Sequence, residues 1–194
     1  MFTLPNSNQY TLNFAFCQTD LPDIQGFDDA VKAKHGICSV LAMDWLQARL
    51  NNTSFIVSMQ SVWAKEKQFK KLEYSFARVY ANYCPDLRLG ATRSWKISPE
   101  SCLAAINLIP NHGGIAIHLG VSLDRRDAGD GAHVVAVVRN GNQYKMFDCN
   151  FGEFTADSAR NCAAWLNILC NHVREGRGKY IDWAVNLHPI VFTA

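Results

Sequence analysis

No apolar run in the sequence approaches the roughly 20 residues of a membrane-spanning helix, so neither a transmembrane segment nor membrane association is expected. Charge is scarce as well. Lys, Arg, Asp and Glu make up 19% of 194 residues and balance to a net +2, too little to argue for a nucleic-acid partner. The amino terminus, MFTLPNSNQY, has neither a basic segment nor an apolar one behind it, so no Sec-type signal peptide is expected. No C-x-x-C pair occurs. The seven cysteines, Cys17, Cys38, Cys84, Cys102, Cys149, Cys162 and Cys170, are odd in number. That argues against a disulfide framework or a structural zinc site and for a reducing compartment. His112 and His118 find no third ligand at a convincing spacing, so no metal is expected.

Hydrophobic residues are plentiful at 48%, a globular composition. The length fits one domain, 1–194, with a full core. YTLNFAF (10–16) alternates as a strand does. An apolar stripe of Cys38, Leu41, Ala42 and Trp45 predicts a helix from Cys38, and a second helix is predicted over about 57–83. Its basic stretch WAKEKQFKK (63–71) is interleaved with Glu66 and reads as a solvated face. Ser98 followed by Pro99 marks a helix start. Strands are predicted at 114–123, 133–139, 143–148 and 180–187, and a last helix at about 156–174. Helices mostly precede strands, so the class is α+β with an antiparallel sheet.

One predicted hairpin carries chemistry. HVVAVVRNGNQYKMFD (133–148) is apolar through its first half, yet His133 opens it and Asp148 closes it. Asn140-Gly141 is a strong hairpin-turn signal. A turn centred there sets Arg139 opposite Asn142, Val137 opposite Tyr144, Val135 opposite Met146 and His133 opposite Asp148. Directly opposed residues have Cβ atoms roughly 4.5–5.5 Å apart. A carboxylate at that distance can hold an imidazole in one tautomer. The nucleophile to match lies in GICSVLAMDWL (36–46). Cys38 stands at a predicted helix N-terminus, where the dipole and unpaired N–H groups favour a thiolate and can also receive an oxyanion. Singly, a cysteine on an apolar stripe is usually core, a His at a strand end usually structural, and an Asp there usually a turn residue. Together the three divide into nucleophile, acid–base and orienter.

Three blocks, GICSVLAMDWL around Cys38, GAHVVAV around His133 and FDCNFGEF at 147–154, resemble the YopT/AvrPphB family of bacterial effector cysteine proteases. The fifteen-residue step from His133 to Asp148 is similar to that family's. The resemblance implies a papain-like fold: helices first, the nucleophile at a helix N-terminus, and an antiparallel sheet carrying His and Asp. It implies a Cys38, His133, Asp148 triad, no metal or organic cofactor, and a host protein as substrate. It also implies delivery by bacteria into the reducing host cytosol. The block after the Asp usually reads D-P-N-F-G; Cys149 replaces the proline here and is expected to alter loop stiffness, not chemistry. Papain-like enzymes often place an amide side chain five or six residues before the nucleophile. Lys32 and Ala33 stand there, so Gln25, the nearest upstream amide, is a weak candidate for the oxyanion.

Two rivals share the same residues. A glutamine deamidase or transglutaminase would use an identical triad. A non-catalytic binding module would keep Cys38 as a packed thiol. The sequence names neither substrate nor oligomeric state.

Overall fold

The computed structural model describes residues 7–17, 37–57, 61–62, 64–65, 88–89, 95–122, 133–176 and 184–193. Within them, three helices flank one antiparallel sheet. The helices are α1 (Cys38–Leu50), α2 (Pro99–Asn107) and α3 (Ala159–Gly176). The strands are β1 (Thr11–Phe14), β2 (Arg88–Leu89), β3 (Trp95–Lys96), β4 (Gly113–Ser122), β5 (His133–Asn140), β6 (Gln143–Asp148), β7 (Gly152–Ala156) and β8 (Ala184–Thr193). They are ordered β1-β7-β6-β5-β4-β8-β2, with β3 also pairing β8.

The apolar first half of the hairpin has a simple cause. Helices cover both faces of the sheet, so β5 is buried on both sides and reads as a continuous hydrophobic run. Val134, Ala136 and Val138 pack with α1, while Val135 and Val137 pack with α2 and α3. The α1 side holds Leu41, Met43, Trp45 and Leu46 against Phe147, whose ring stacks on Trp45 at 5.4 Å and 11°. The other side is filled by Ile106, Ile109, Met146, Phe154, Trp165 and Leu169. Eight of the thirteen residues of α1 are buried and the other five half-buried, so its apolar surface is wider than the predicted stripe. Helix α2 starts as expected: Ser98 and Ser101 exchange reciprocal side-chain-to-backbone hydrogen bonds at 3.1 and 2.8 Å, with Pro99 at the first position.

The predicted register of the β5–β6 hairpin is overturned. Asn140 pairs with Gln143 and Val135 with Asp148. Opposite His133 lies Leu119 of β4, not Asp148. The turn is built on Gly141-Asn142, with φ +61 at Gly141 and Asn142 outside the positive-φ region. One glycine at the first central position suffices for a type II′ turn, whereas a type I′ turn needs positive φ at both. Moving the turn by one residue moves every pair by two, which keeps each side chain on its own face. His133 and Asp148 are therefore diagonal neighbours, two positions out of direct opposition.

Two other expectations shift. Strand β7 appears where no strand was predicted, and β8 runs to Thr193, past the predicted end at 187. Pro189 interrupts β8 where a proline is tolerated, between its pairings with β3 (Asn186, Leu187) and β2 (Phe192, Thr193). Most of the helix predicted at 57–83 lies outside the described residues. Of its basic stretch, Lys65 pairs with Asp44 of α1.

Candidate active site

Three chain segments meet at one end of the sheet. Strand β5 begins there with His133, β6 ends there with Asp148, and α1 begins there with Cys38. The helix comes from one face of the sheet. Val135, the partner of Asp148, belongs to the core on the other face. The contact is possible because His133 is the first strand residue, where a side chain can reach around the end of the sheet.

The His133 Nε2 and Asp148 Oδ2 atoms are 2.6 Å apart. A local turn fixes the carboxylate. Its second oxygen, Oδ1, accepts the Asn150 backbone N–H at 2.7 Å, and the Asp148 carbonyl accepts the Phe151 N–H at 3.2 Å. Both carboxylate oxygens are thus committed, and the ring Nδ1 is left to face a nucleophile. Diagonal neighbours on a sheet stay within reach of long side chains, so the shifted register preserves the contact.

Cys38 is the first residue of α1 and is 4% exposed. Among the described residues no side chain caps that helix start, and its first turn has no acidic residue. Backbone N–H groups in a helix's first turn are the kind that stabilise a thiolate or an oxyanion. The Cys38 thiol is held well below the usual thiol range. The largest cause is a hydrogen bond from Cys149; the hydrogen bond and charge of His133 and the Val134 N–H add to it, and together they outweigh burial. For His133, burial pulls the imidazole down. The Asp148 charge and hydrogen bond, joined by those of Cys38, overcome this and raise it to about 10. The pair therefore sits as thiolate and imidazolium over a broad range of pH. Cys149 goes the other way. Burial first, then its contact with Cys38, push its thiol well above the usual range, so it remains an S–H donor.

Cys149 corrects one expectation outright: it is not merely a loop residue. Fully buried, it hydrogen-bonds Cys38, and its sulfur, the Cys38 sulfur and a His133 ring nitrogen all lie within 4.8 Å of one another. Nothing in the spacing from Cys38 to Cys149 signals this. The one available hint was its position next to Asp148. Gln25 and most of the segments 17–36 and 122–132 lie outside the described residues.

Sequence reasoning also missed Glu153 of β7, which is buried at 3% exposure. Its Oε2 accepts Trp45 Nε1 at 2.7 Å and Arg49 Nε at 2.8 Å, while Oε1 accepts Asn13 Nδ2 at 2.9 Å. Both α1 donors stand within three turns of Cys38, so this carboxylate ties the cysteine's helix to β7 and β1.

Residues 110–179 match the model of the Peptidase_C58 family, described as Yersinia/Haemophilus virulence surface antigen. That segment contains His133, Asp148 and Cys149; Cys38 lies before it. No curated protein sequence matches the chain. Among solved structures, the Pseudomonas avirulence protein AvrPphB is similar, with a TM-score of 0.59 and 14% identity over 82% of this chain and 93% of that one. The fold is α+β and is the papain-like fold of AvrPphB. The family match covers 70 of the 194 residues, and the structural likeness is one of fold.

Proposed function

We propose that the chain is a papain-like cysteine protease that acts on a protein of a host cell as a bacterial effector, with Cys38, His133 and Asp148 as its catalytic triad. The observation that carries the proposal is the buried relay itself. A thiol at a helix N-terminus contacts an imidazole whose other nitrogen is 2.6 Å from a fixed carboxylate. The relatedness to cysteine peptidases supports the same reading.

The chemistry follows from those positions. The Cys38 thiolate attacks the carbonyl carbon of the scissile bond, and backbone N–H groups at the start of α1 receive the oxyanion. His133 gives its proton to the departing amine, leaving a thioester on Cys38. Water then adds to the thioester as His133 takes its proton. Collapse releases the new carboxylic acid and restores the thiolate–imidazolium pair. Asp148 keeps its charge throughout and holds the ring in one tautomer and one orientation.

The test compares wild type with Cys38→Ala in lysate of candidate host cells, followed by mapping of new peptide termini. New termini that vanish with Cys38→Ala are expected. Glutamine-to-glutamate conversion or glutamine-linked amines without new termini would replace protease by deamidase or transglutaminase. A lysate unchanged by wild type would leave a binding module.

A further inference from the structure

We propose that Cys38, His133 and Cys149 form a reversible binding site for Zn2+. Two sulfurs and one imidazole nitrogen lie within 4.8 Å of one another. Tetrahedral zinc, with Zn–S of about 2.3 Å and Zn–N of about 2.0 Å, sets such donors roughly 3.5–3.8 Å apart. Closure by about 1.3 Å at most would therefore bring the three onto one ion.

The donor chemistry selects the cation. Thiolate and imidazole favour zinc over the oxygen-seeking magnesium and calcium. The ring is also set up as metal-bound histidines commonly are: Nε2 faces Asp148 at 2.6 Å, which leaves Nδ1 for the metal and makes it more basic. Cys38, His133 and Cys149 are 4%, 7% and 0% exposed, so bulk water competes little. Water takes the fourth position.

The proton and charge balance is complete. The ion takes two thiolates and a neutral imidazole, so Cys149 and the His133 imidazolium each release one proton to solvent. The three side chains and the ion then sum to zero charge, as the three side chains do before binding. No electron moves. Bound zinc occupies the Cys38 lone pair and removes the proton from His133. On the protease proposal, on which this consequence rests, zinc switches off nucleophile and acid together. Binding itself does not depend on that proposal.

The experiment loads the whole chain with one equivalent of Zn2+ and reads the zinc environment by X-ray absorption. Two sulfurs and at least one imidazole nitrogen are expected, with two protons released per ion in calorimetry across buffers. Cys149→Ser should weaken binding at least tenfold, leave one sulfur and release one proton. Zinc should slow alkylation of Cys38, and a chelator should restore it. No stoichiometric binding, a single sulfur in wild type, or unchanged affinity in Cys149→Ser would overturn the site. The wild-type absorption spectrum decides the matter even if Cys149→Ser does not fold. A chain that binds zinc but cleaves nothing keeps this site and loses the protease; a chain that cleaves but binds no zinc does the reverse.

Discussion

The indole N–H of Trp45 in α1 donates to Glu153 in β7 across 2.7 Å. The same carboxylate oxygen takes Arg49, also from α1. Removing the carboxylate leaves a buried indole N–H and a largely buried guanidinium without their acceptor. Glu153→Ala should lower stability by about 2–4 kcal/mol, and Glu153→Gln, which keeps one acceptor oxygen, by less. Urea denaturation checks both. Equal losses would mean that a neutral acceptor oxygen rescues nothing and that the charge carries the whole effect.

The reactive form needs Cys38 deprotonated and His133 protonated. Cys38 titrates well below the usual thiol range, so this form is present where an ordinary thiol is still protonated. It is lost when His133 gives up its proton near 10. Iodoacetamide should therefore label Cys38 below the usual thiol range. Cys102, pushed to about 12 by burial, and Cys149, Cys162 and Cys170, pushed well up by burial, should stay unlabelled there. Peptide mapping by mass spectrometry reads the order. An inert Cys38 would count against the thiolate.

Asp148→Asn keeps size but removes the charge that raises His133. The alkaline limit of any peptide cleavage, set by loss of the His133 proton, should move down from about 10. Any peptide cleavage should drop by roughly a hundredfold to ten-thousandfold. Both readouts matter, because a purely structural loss would lower cleavage without moving the alkaline limit.

Two glycines, one in the turn at the far end of the β5–β6 hairpin and one beside Asp148, make opposite demands. Gly141, at φ +61, has open space where a Cβ would sit. Gly141→Ala should lower stability by about 1 kcal/mol through backbone conformation alone. Gly152, at φ +117 and paired with Asp148, would put a Cβ 2.1 Å from the Phe14 carbonyl oxygen. Gly152→Ala should cost about 3 kcal/mol or more and loosen β1 from β7. Thermal unfolding of the two variants side by side tests the contrast; equal shifts would remove it.

Much of this was legible in the sequence, for local reasons. Strand β6 was placed at 143–148 and a helix start at Cys38, because the alternation, the stripe and the turn signal each lie within a few residues. The register was not legible. Asn140-Gly141 and Gly141-Asn142 are both acceptable turns, and only the packed sheet chooses. Strand β7 was hidden because a glycine and a glutamate in five residues resemble a loop; Glu153 is tolerated there only through Trp45, Arg49 and Asn13, each more than a hundred residues away. The thiol of Cys149 is a similar case: its partner Cys38 is on a different element, and no spacing rule joins them.

Strand β8 pairs with β4 along the full length of both, Gly113 with Thr193 at one end and Ser122 with Ala184 at the other. Those pairs join residues 62 to 80 apart, contacts of a kind that close slowly. During synthesis the ribosome has already delivered Cys38, His133 and Asp148 before residues 184–193 exist. Until then β4, the strand that flanks His133 through Leu119, has a bare edge on its far side. Assembly of the centre should thus wait until residues 184–193 have been made. A translation product cut short before β8 would carry all three residues and an edge inviting aggregation in place of a finished site.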